Sequence, residues 1–225
     1  EERSHSVSLS ADLYHTFGKV QTNLLVEGFY TILDDVFALR DMDDAADGGK
    51  VKERYNGSGA TVRGFNVEGR AAFTRWFELQ AGVTLQQSRY KEPEYWSEDA
   101  EVPPVRRMFR TPDAYGYFTA SFKPVRNFTA DLSGTCTGSM LVQHMAGSGV
   151  GQDVAVSTPS FFDMNIRLSY DVRIYKEITM QLYGGVQNLF NAYQKDFDKG
   201  VDRDSGYIYG PSLPRSWFVG AKFSF

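Results

Sequence analysis

The stretch Leu213-Pro214-Arg215-Ser216-Trp217-Phe218-Val219-Gly220-Ala221-Lys222-Phe223-Ser224-Phe225 decides the fold. In period two, Trp217, Val219, Ala221, Phe223 and Phe225 share one face, and Ser216, Phe218, Gly220, Lys222 and Ser224 share the other. That is a strand with one mostly apolar and one mostly polar face. It stops on a bare aromatic with no polar tail. Chain ends in water usually fray, whereas a strand closing a barrel in lipid must keep its backbone groups paired to the end.

The same two-faced pattern recurs upstream. Alternation runs over 6–14 and 20–32, then 59–73 and 76–90. It returns over 113–123, 128–143, 161–173 and 178–190. With the terminal strand this predicts about nine strands. Connections alternate in length: short near 16–19, 74–75, 124–127 and 174–177, long over 40–58, 91–112, 144–160 and 191–213. Outer-membrane barrels combine short periplasmic turns with long extracellular loops in this way. The apolar faces carry almost no charge, while the opposite faces hold Asp12, Glu27, Glu68, Arg70, Glu78 and Asp131, then Asp163, Arg167, Asp171 and Lys222. Charge facing lipid is costly, which accounts for the segregation. The predicted fold class is therefore all-β, an antiparallel transmembrane β-barrel. A soluble sandwich or lipocalin-like barrel also alternates, but its strands are usually shorter than the 9–15 residues read here.

Composition bounds the rest. The 225 residues suffice for one all-β unit, aromatics make up 15%, and the formal net charge of −4 comes with no basic stripe suited to nucleic acid. Mean hydropathy is −0.38, and no apolar run is long enough for a membrane helix. Alternating lipid-facing and lumen-facing residues average out, so that does not exclude a membrane barrel. The single cysteine, Cys136, forms no intrachain disulfide and is read as a small residue on the lipid-facing or packed surface. No signal peptide opens the chain. An odd strand count leaves the two ends on opposite sides of the membrane, whereas single-chain bacterial barrels close with an even number. The expectation is a C-terminal piece, residues 1–225, of a larger barrel.

No catalytic constellation is legible: His5, His15 and His144 are isolated along the chain, so no enzyme is expected. Two acidic clusters invite a metal reading, Asp34, Asp35, Asp41, Asp43, Asp44 and Asp47, and then Asp196, Asp198, Asp202 and Asp204 interleaved with Gly200 and Gly206. Carboxylates on a flexible turn suit calcium, and the second cluster is the candidate for a structural calcium; no other cofactor is expected. Neither cluster has EF-hand spacing, and a solvated acidic loop is the competing reading. For substrate binding the candidates are Tyr95, Trp96, Arg106, Arg107 and Arg110, with Tyr207 and Tyr209. Aromatics supply rigid contact area and arginine binds anionic oxygens. An interfacial aromatic girdle with ordinary loop packing competes for the same residues.

Three runs resemble one family. Gly185-Val186-Gln187-Asn188-Leu189-Phe190-Asn191-Ala192-Tyr193 is similar to the v-x-N-L-F-(D/N)-x-x-Y signature of TonB-dependent outer-membrane receptors. Tyr207-Ile208-Tyr209-Gly210-Pro211-Ser212-Leu213-Pro214-Arg215, with the strand to Phe225, resembles their closing block. Met108-Phe109-Arg110-Thr111-Pro112-Asp113-Ala114-Tyr115-Gly116-Tyr117 resembles a strand entry of the same family. The resemblance implies a plugged barrel of 22 strands, of which this chain supplies about the last nine, with plug and TonB box lying before it. It implies active import of a scarce metal chelate, cobalamin or a ferric siderophore, energised through TonB. Haem or oligosaccharide are alternative cargoes, and a passive porin or structural barrel is the alternative class. Expected partners are the lipid bilayer and lipopolysaccharide, the TonB complex through the missing part, and a surface lipoprotein. Phe223 and Phe225 resemble the signal read by the outer-membrane assembly machinery.

Overall fold

The computed structural model describes residues 2–42, 51–211 and 213–225. Nine long strands form one antiparallel sheet in strict sequence order: β1 (Arg3–Phe17), β2 (Val20–Asp34), β5 (Ala60–Thr74), β6 (Phe77–Glu94), β8 (Ala114–Val125), β9 (Phe128–Thr137), β12 (Phe161–Tyr175), β13 (Ile178–Gln187) and β14 (Ser216–Ser224). A short strand, β7 (Val105–Arg107), pairs with the top of β6. Two small hairpins stand apart, β3 (Phe37–Met42) with β4 (Val51–Asn56), and β10 (Leu141–His144) with β11 (Val154–Ser157). Sequence order with antiparallel pairing puts every short turn at one end of the sheet and every long connection at the other.

The apolar face is bare. Leu9 is 82% exposed, Phe65 64% and Val219 89%, and among the described residues no second layer covers them. A soluble sandwich buries that face, so the sandwich reading is excluded by the single sheet. A contiguous apolar face of this extent in water exceeds what soluble proteins tolerate; hydrocarbon removes the penalty. Near the short turns it ends in an aromatic cluster: Phe73 stacks on Phe77 at 5.3 Å and Trp76 meets Phe122 edge-on at 5.0 Å. This is the arrangement of an interfacial girdle.

The opposite face is a polar wall whose side chains bond across strands. Asn66 donates to Glu27 at 2.9 Å and Thr84 to Asn66 at 2.8 Å. Ser121 donates to Asp131 at 2.7 Å and Gln181 to Asp171 at 2.9 Å, while Arg70 pairs with Glu78. Aromatic rings lie down over glycines directly opposite in register, Tyr117 over Gly82, Phe218 over Gly185 and Tyr183 over Gly220. At Gly185 a Cβ would stand 2.1 Å from the Ile166 carbonyl oxygen and 2.7 Å from Phe218 Cζ, whereas one at Gly69 would meet nothing within 4 Å. Gly185→Val is therefore expected to cost about 1–3 kcal/mol through overpacking. Gly69→Ala is expected to be nearly silent. The midpoint of urea unfolding of the protein in micelles distinguishes the two.

Two expectations are corrected. The strand read over 128–143 ends at Thr137. The Gly138 N–H donates to the Ala114 carbonyl at 2.8 Å, and Met140 exchanges bonds with Thr158, so the chain peels off into the β10–β11 hairpin. The apolar alternation continued through Val142 because Val142 is fully buried, under loops rather than against lipid. The long segments are not plain loops either, since two of them carry hairpins. What core the chain has sits at this loop end, around Ala60, Val142, Val186 and Tyr207.

Candidate loop-rim site

The connections after β6, β9 and β13 meet at the long-loop end and tie to one another. Asn188 and Asn191 start the last of them in the left-handed region, at φ 51° and 56°, a conformation asparagine tolerates. Asn188 Nδ2 then donates to the carbonyls of Ala192 (3.0 Å) and Leu213 (2.9 Å), while its Oδ1 accepts from the Ala192 N–H at 2.8 Å. The Arg215 N–H donates to Asn191 Oδ1 at 2.9 Å. One short motif thus fixes both ends of a 23-residue excursion between Asn191 and Leu213.

Inside that excursion the buried Gln194 donates to the Tyr207 carbonyl at 3.0 Å and accepts from the Tyr209 N–H at 2.8 Å. Both tyrosine hydroxyls donate to Asp196, Tyr207 at 3.0 Å and Tyr209 at 2.7 Å. His144, from β10, stacks flat on Tyr207 with centroids 3.6 Å apart and an interplanar angle of 6°. Its Nε2 stands 3.0 Å from both carboxylate oxygens of Asp198, and both side chains are nearly buried. Asp204 accepts from the Met145 N–H at 2.8 Å, and the Asp202 carbonyl accepts from the Ser148 N–H at 3.0 Å.

Arg110 joins the third connection to this assembly. Its N–H donates to the Leu141 carbonyl at 2.7 Å, and its guanidinium donates to the carbonyls of Ile208 (2.8 Å) and Gly206. Arg107 donates to the Ser139 carbonyl at 2.7 Å and pairs with Asp113 at 3.1 Å. Trp96 packs edge-on against Phe109 at 5.3 Å. Arg106 donates to the Lys91 carbonyl at 3.1 Å and lies 3.8 Å from Glu92, with both side chains more than half exposed. Tyr95 is 75% exposed.

The structure thus brings Arg110 to the Tyr207–Tyr209 group and leaves Tyr95 and Arg106 on the outer surface. Sequence reasoning passed over His144, Gln194 and Asn188. His144 and Asp198 lie 54 residues apart, so spacing gave no signal, whereas Asn188 sits in the quoted N-L-F-N run. In the second acidic cluster Asp196, Asp198 and Asp204 accept from protein donors and Asp202 contributes its backbone. Among the described residues no three His, Cys, Asp or Glu side chains group as metal ligands. Of the first cluster, Asp34 pairs with Lys91, and Asp43, Asp44 and Asp47 lie outside the described residues.

Electrostatics keeps the assembly closed over a wide range. Burial works to raise the Asp196 carboxyl, but the bonds from Tyr209 and Tyr207 outweigh it and hold it below its usual value. The His144 bond holds Asp198 low as well, against burial. Burial, reinforced by Asp196, pushes the Tyr207 hydroxyl up to about 12 and raises Tyr209 too. A lowered carboxyl contributes stability above its unfolded value, near 3.9, and loses it as pH falls through the folded value; a raised hydroxyl contributes below about 10 and loses it as pH climbs toward 12. The rim is therefore expected to stay clamped from about pH 4 to pH 10. Spectrophotometric titration of the tyrosines, wild type against Tyr207→Phe, checks this by the loss of one late-ionising group.

A protein-family model described as "TonB dependent receptor-like, beta-barrel" matches residues 1–189. The fold is similar to the ferric-catecholate import receptor Fiu of E. coli: TM-score 0.64, 18% identity, 98% of this chain and 27% of that one. It is similar to a mutant of the ferric enterobactin receptor PfeA of Pseudomonas aeruginosa: TM-score 0.61, 15% identity, 97% and 31%. It is similar also to the ferripyoverdine receptor of Pseudomonas aeruginosa: TM-score 0.62, 12% identity, 98% and 27%. The chain spans under a third of the length of these receptors. No curated protein sequence matches it.

Proposed function

The chain belongs to the TonB-dependent receptor β-barrel family of the bacterial outer membrane, and on that footing we propose that its receptor is a transporter, not an enzyme, importing a scarce metal chelate across that membrane at the expense of TonB-delivered energy. The observation that carries the reading is the rim, three long connections clamped together at one end of a polar-walled, lipid-faced sheet. A rigid rim keeps exposed side chains placed before cargo arrives, which lowers the ordering cost of capture.

Ferric siderophore is the first cargo choice and cobalamin the second, with haem and oligosaccharide behind them. The three similar structures named above carry iron-chelate receptors' names, which supports that order, while another is titled a copper transporter. Within this reading Tyr95 and Arg106 touch the cargo, one by aromatic area and one by charge. Trp96, Arg107, Arg110, Tyr207 and Tyr209 position them. Calorimetry on the full-length receptor in detergent tests the proposal with a ferric catecholate, a ferric hydroxamate and cobalamin. The expected result is binding of one iron chelate, weakened about tenfold in the Tyr95→Ala/Arg106→Ala pair. Solute flux through the purified receptor without TonB, together with no chelate binding, would make it a porin.

A further inference from the structure

Two phenols and a carboxylate converge inside the connection after β13. Tyr207 Oη donates to Asp196 Oδ2 at 3.0 Å, and Tyr209 Oη donates to Asp196 Oδ1 at 2.7 Å. Oxygens about 2.0 Å from a small octahedral cation stand about 2.8 Å apart on adjacent corners. The hydroxyl and carboxylate oxygens here already have that spacing. Gln194 brings them together by folding the segment back on itself, bonding both the Tyr207 carbonyl and the Tyr209 N–H.

The two rings are held by residues outside the group. His144 lies flat on Tyr207, and Phe161 packs against Tyr209 with centroids 5.9 Å apart. Tyr207 and Tyr209 meet edge-on at 5.3 Å. A Cβ at Gly210 would stand 2.7 Å from Phe161 Cζ, so Phe161 takes this place only beside a glycine. Asp196 itself is exposed, which opens the oxygens to solvent. Among the described residues no Lys or Arg pairs with it; its neighbour Lys195 lies over the Tyr193 ring. Asp198, engaged by His144, adds a second negative charge close to Tyr207.

Preset hard oxygens with an uncompensated charge suit a small cation of high charge. Both hydroxyls hold their protons tightly, through burial first and Asp196 second. A metal must displace those protons. Calcium lacks the charge density to do so, whereas iron(III) takes phenolate as a ligand. We propose that Tyr207, Tyr209 and Asp196 form a binding site for a ferric ion at the rim, held by two phenolates and one carboxylate. Binding releases the two phenol protons to water, and three anionic ligands then balance the threefold positive charge. Water or a small anion fills the remaining positions on the exposed side. The site goes beyond chelate import, because the chain itself touches the metal, and it does not depend on which chelate is carried.

The test titrates the full-length receptor in detergent with ferric nitrilotriacetate and records the visible spectrum. Wild type is expected to develop a saturable phenolate-to-iron(III) charge-transfer band. Tyr207→Phe/Tyr209→Phe is expected to abolish it. Asp196→Asn, which keeps a hydrogen-bond acceptor and loses the charge, is expected to weaken binding at least about tenfold. Gallium(III) should compete for the site, and calcium should not. Tyr95→Ala/Arg106→Ala should leave the band unchanged, which separates this site from chelate capture. Heat-modifiable gel mobility reports folding of each variant, and Asp196→Asn with gallium competition still decides the matter if the phenylalanine pair fails to fold. No band in wild type at saturating titrant would overturn the proposal, as would a band that survives in the phenylalanine pair or is displaced by calcium.

Discussion

Val67→Arg is expected to destabilise the receptor by about 2–4 kcal/mol, the cost of a guanidinium on the lipid face near the bilayer midplane. Val67 sits in the row Val26–Val67–Val83, near the middle of the apolar band. Its neighbour in sequence, Glu68, points into the polar wall beside Gly82 and Thr84. Glu68→Gln is expected to stay within about 0.5 kcal/mol, as surface changes do. Urea unfolding of the full-length receptor in lipid vesicles measures both. The contrast between adjacent residues is the signature of a strand with lipid on one side and water on the other.

Asp198→Ala is expected to act at the rim and nowhere else. It removes the carboxylate that holds His144 and accepts from the Asp204 N–H at 3.1 Å, so the contact between the connections after β9 and β13 loses its centre. Local opening should become easier while the sheet keeps its stability. Hydrogen exchange at Ser148, whose N–H reaches across to Asp202, is expected to speed up roughly ten- to a hundredfold. Amides in the middle of β5 and β6 should not change. Weaker cargo binding by the same variant would tie rim rigidity to capture.

The contrast between these regions explains what the sequence could carry. Strands such as β5 were legible because lipid and lumen impose opposite chemistry on successive residues, and both constraints act locally. The turn at Thr74 was legible for the same reason, since turn chemistry is local, whereas the strand read over 178–190 ends already at Gln187. The end of β9 was not, because Val142 is apolar for a different purpose: it is buried under the rim, and alternation cannot distinguish that from lipid. The setting of Arg107 and Arg110 was not legible because a sequence displays charge and hides acceptors: the carbonyls of Ser139, Gly206 and Ile208 that engage them lie 32 to 98 residues away. His144 was dismissed as solitary on equally local grounds.

The most direct test of the account is a spin-label scan of β5 from residue 65 to residue 70 in the full-length receptor reconstituted in lipid. The account predicts strict alternation, with labels at 65, 67 and 69 relaxed by oxygen dissolved in the bilayer and labels at 66, 68 and 70 facing the polar interior. Labels equally accessible to a water-soluble nickel chelate at all six positions, or an alternation in the opposite phase, would contradict it.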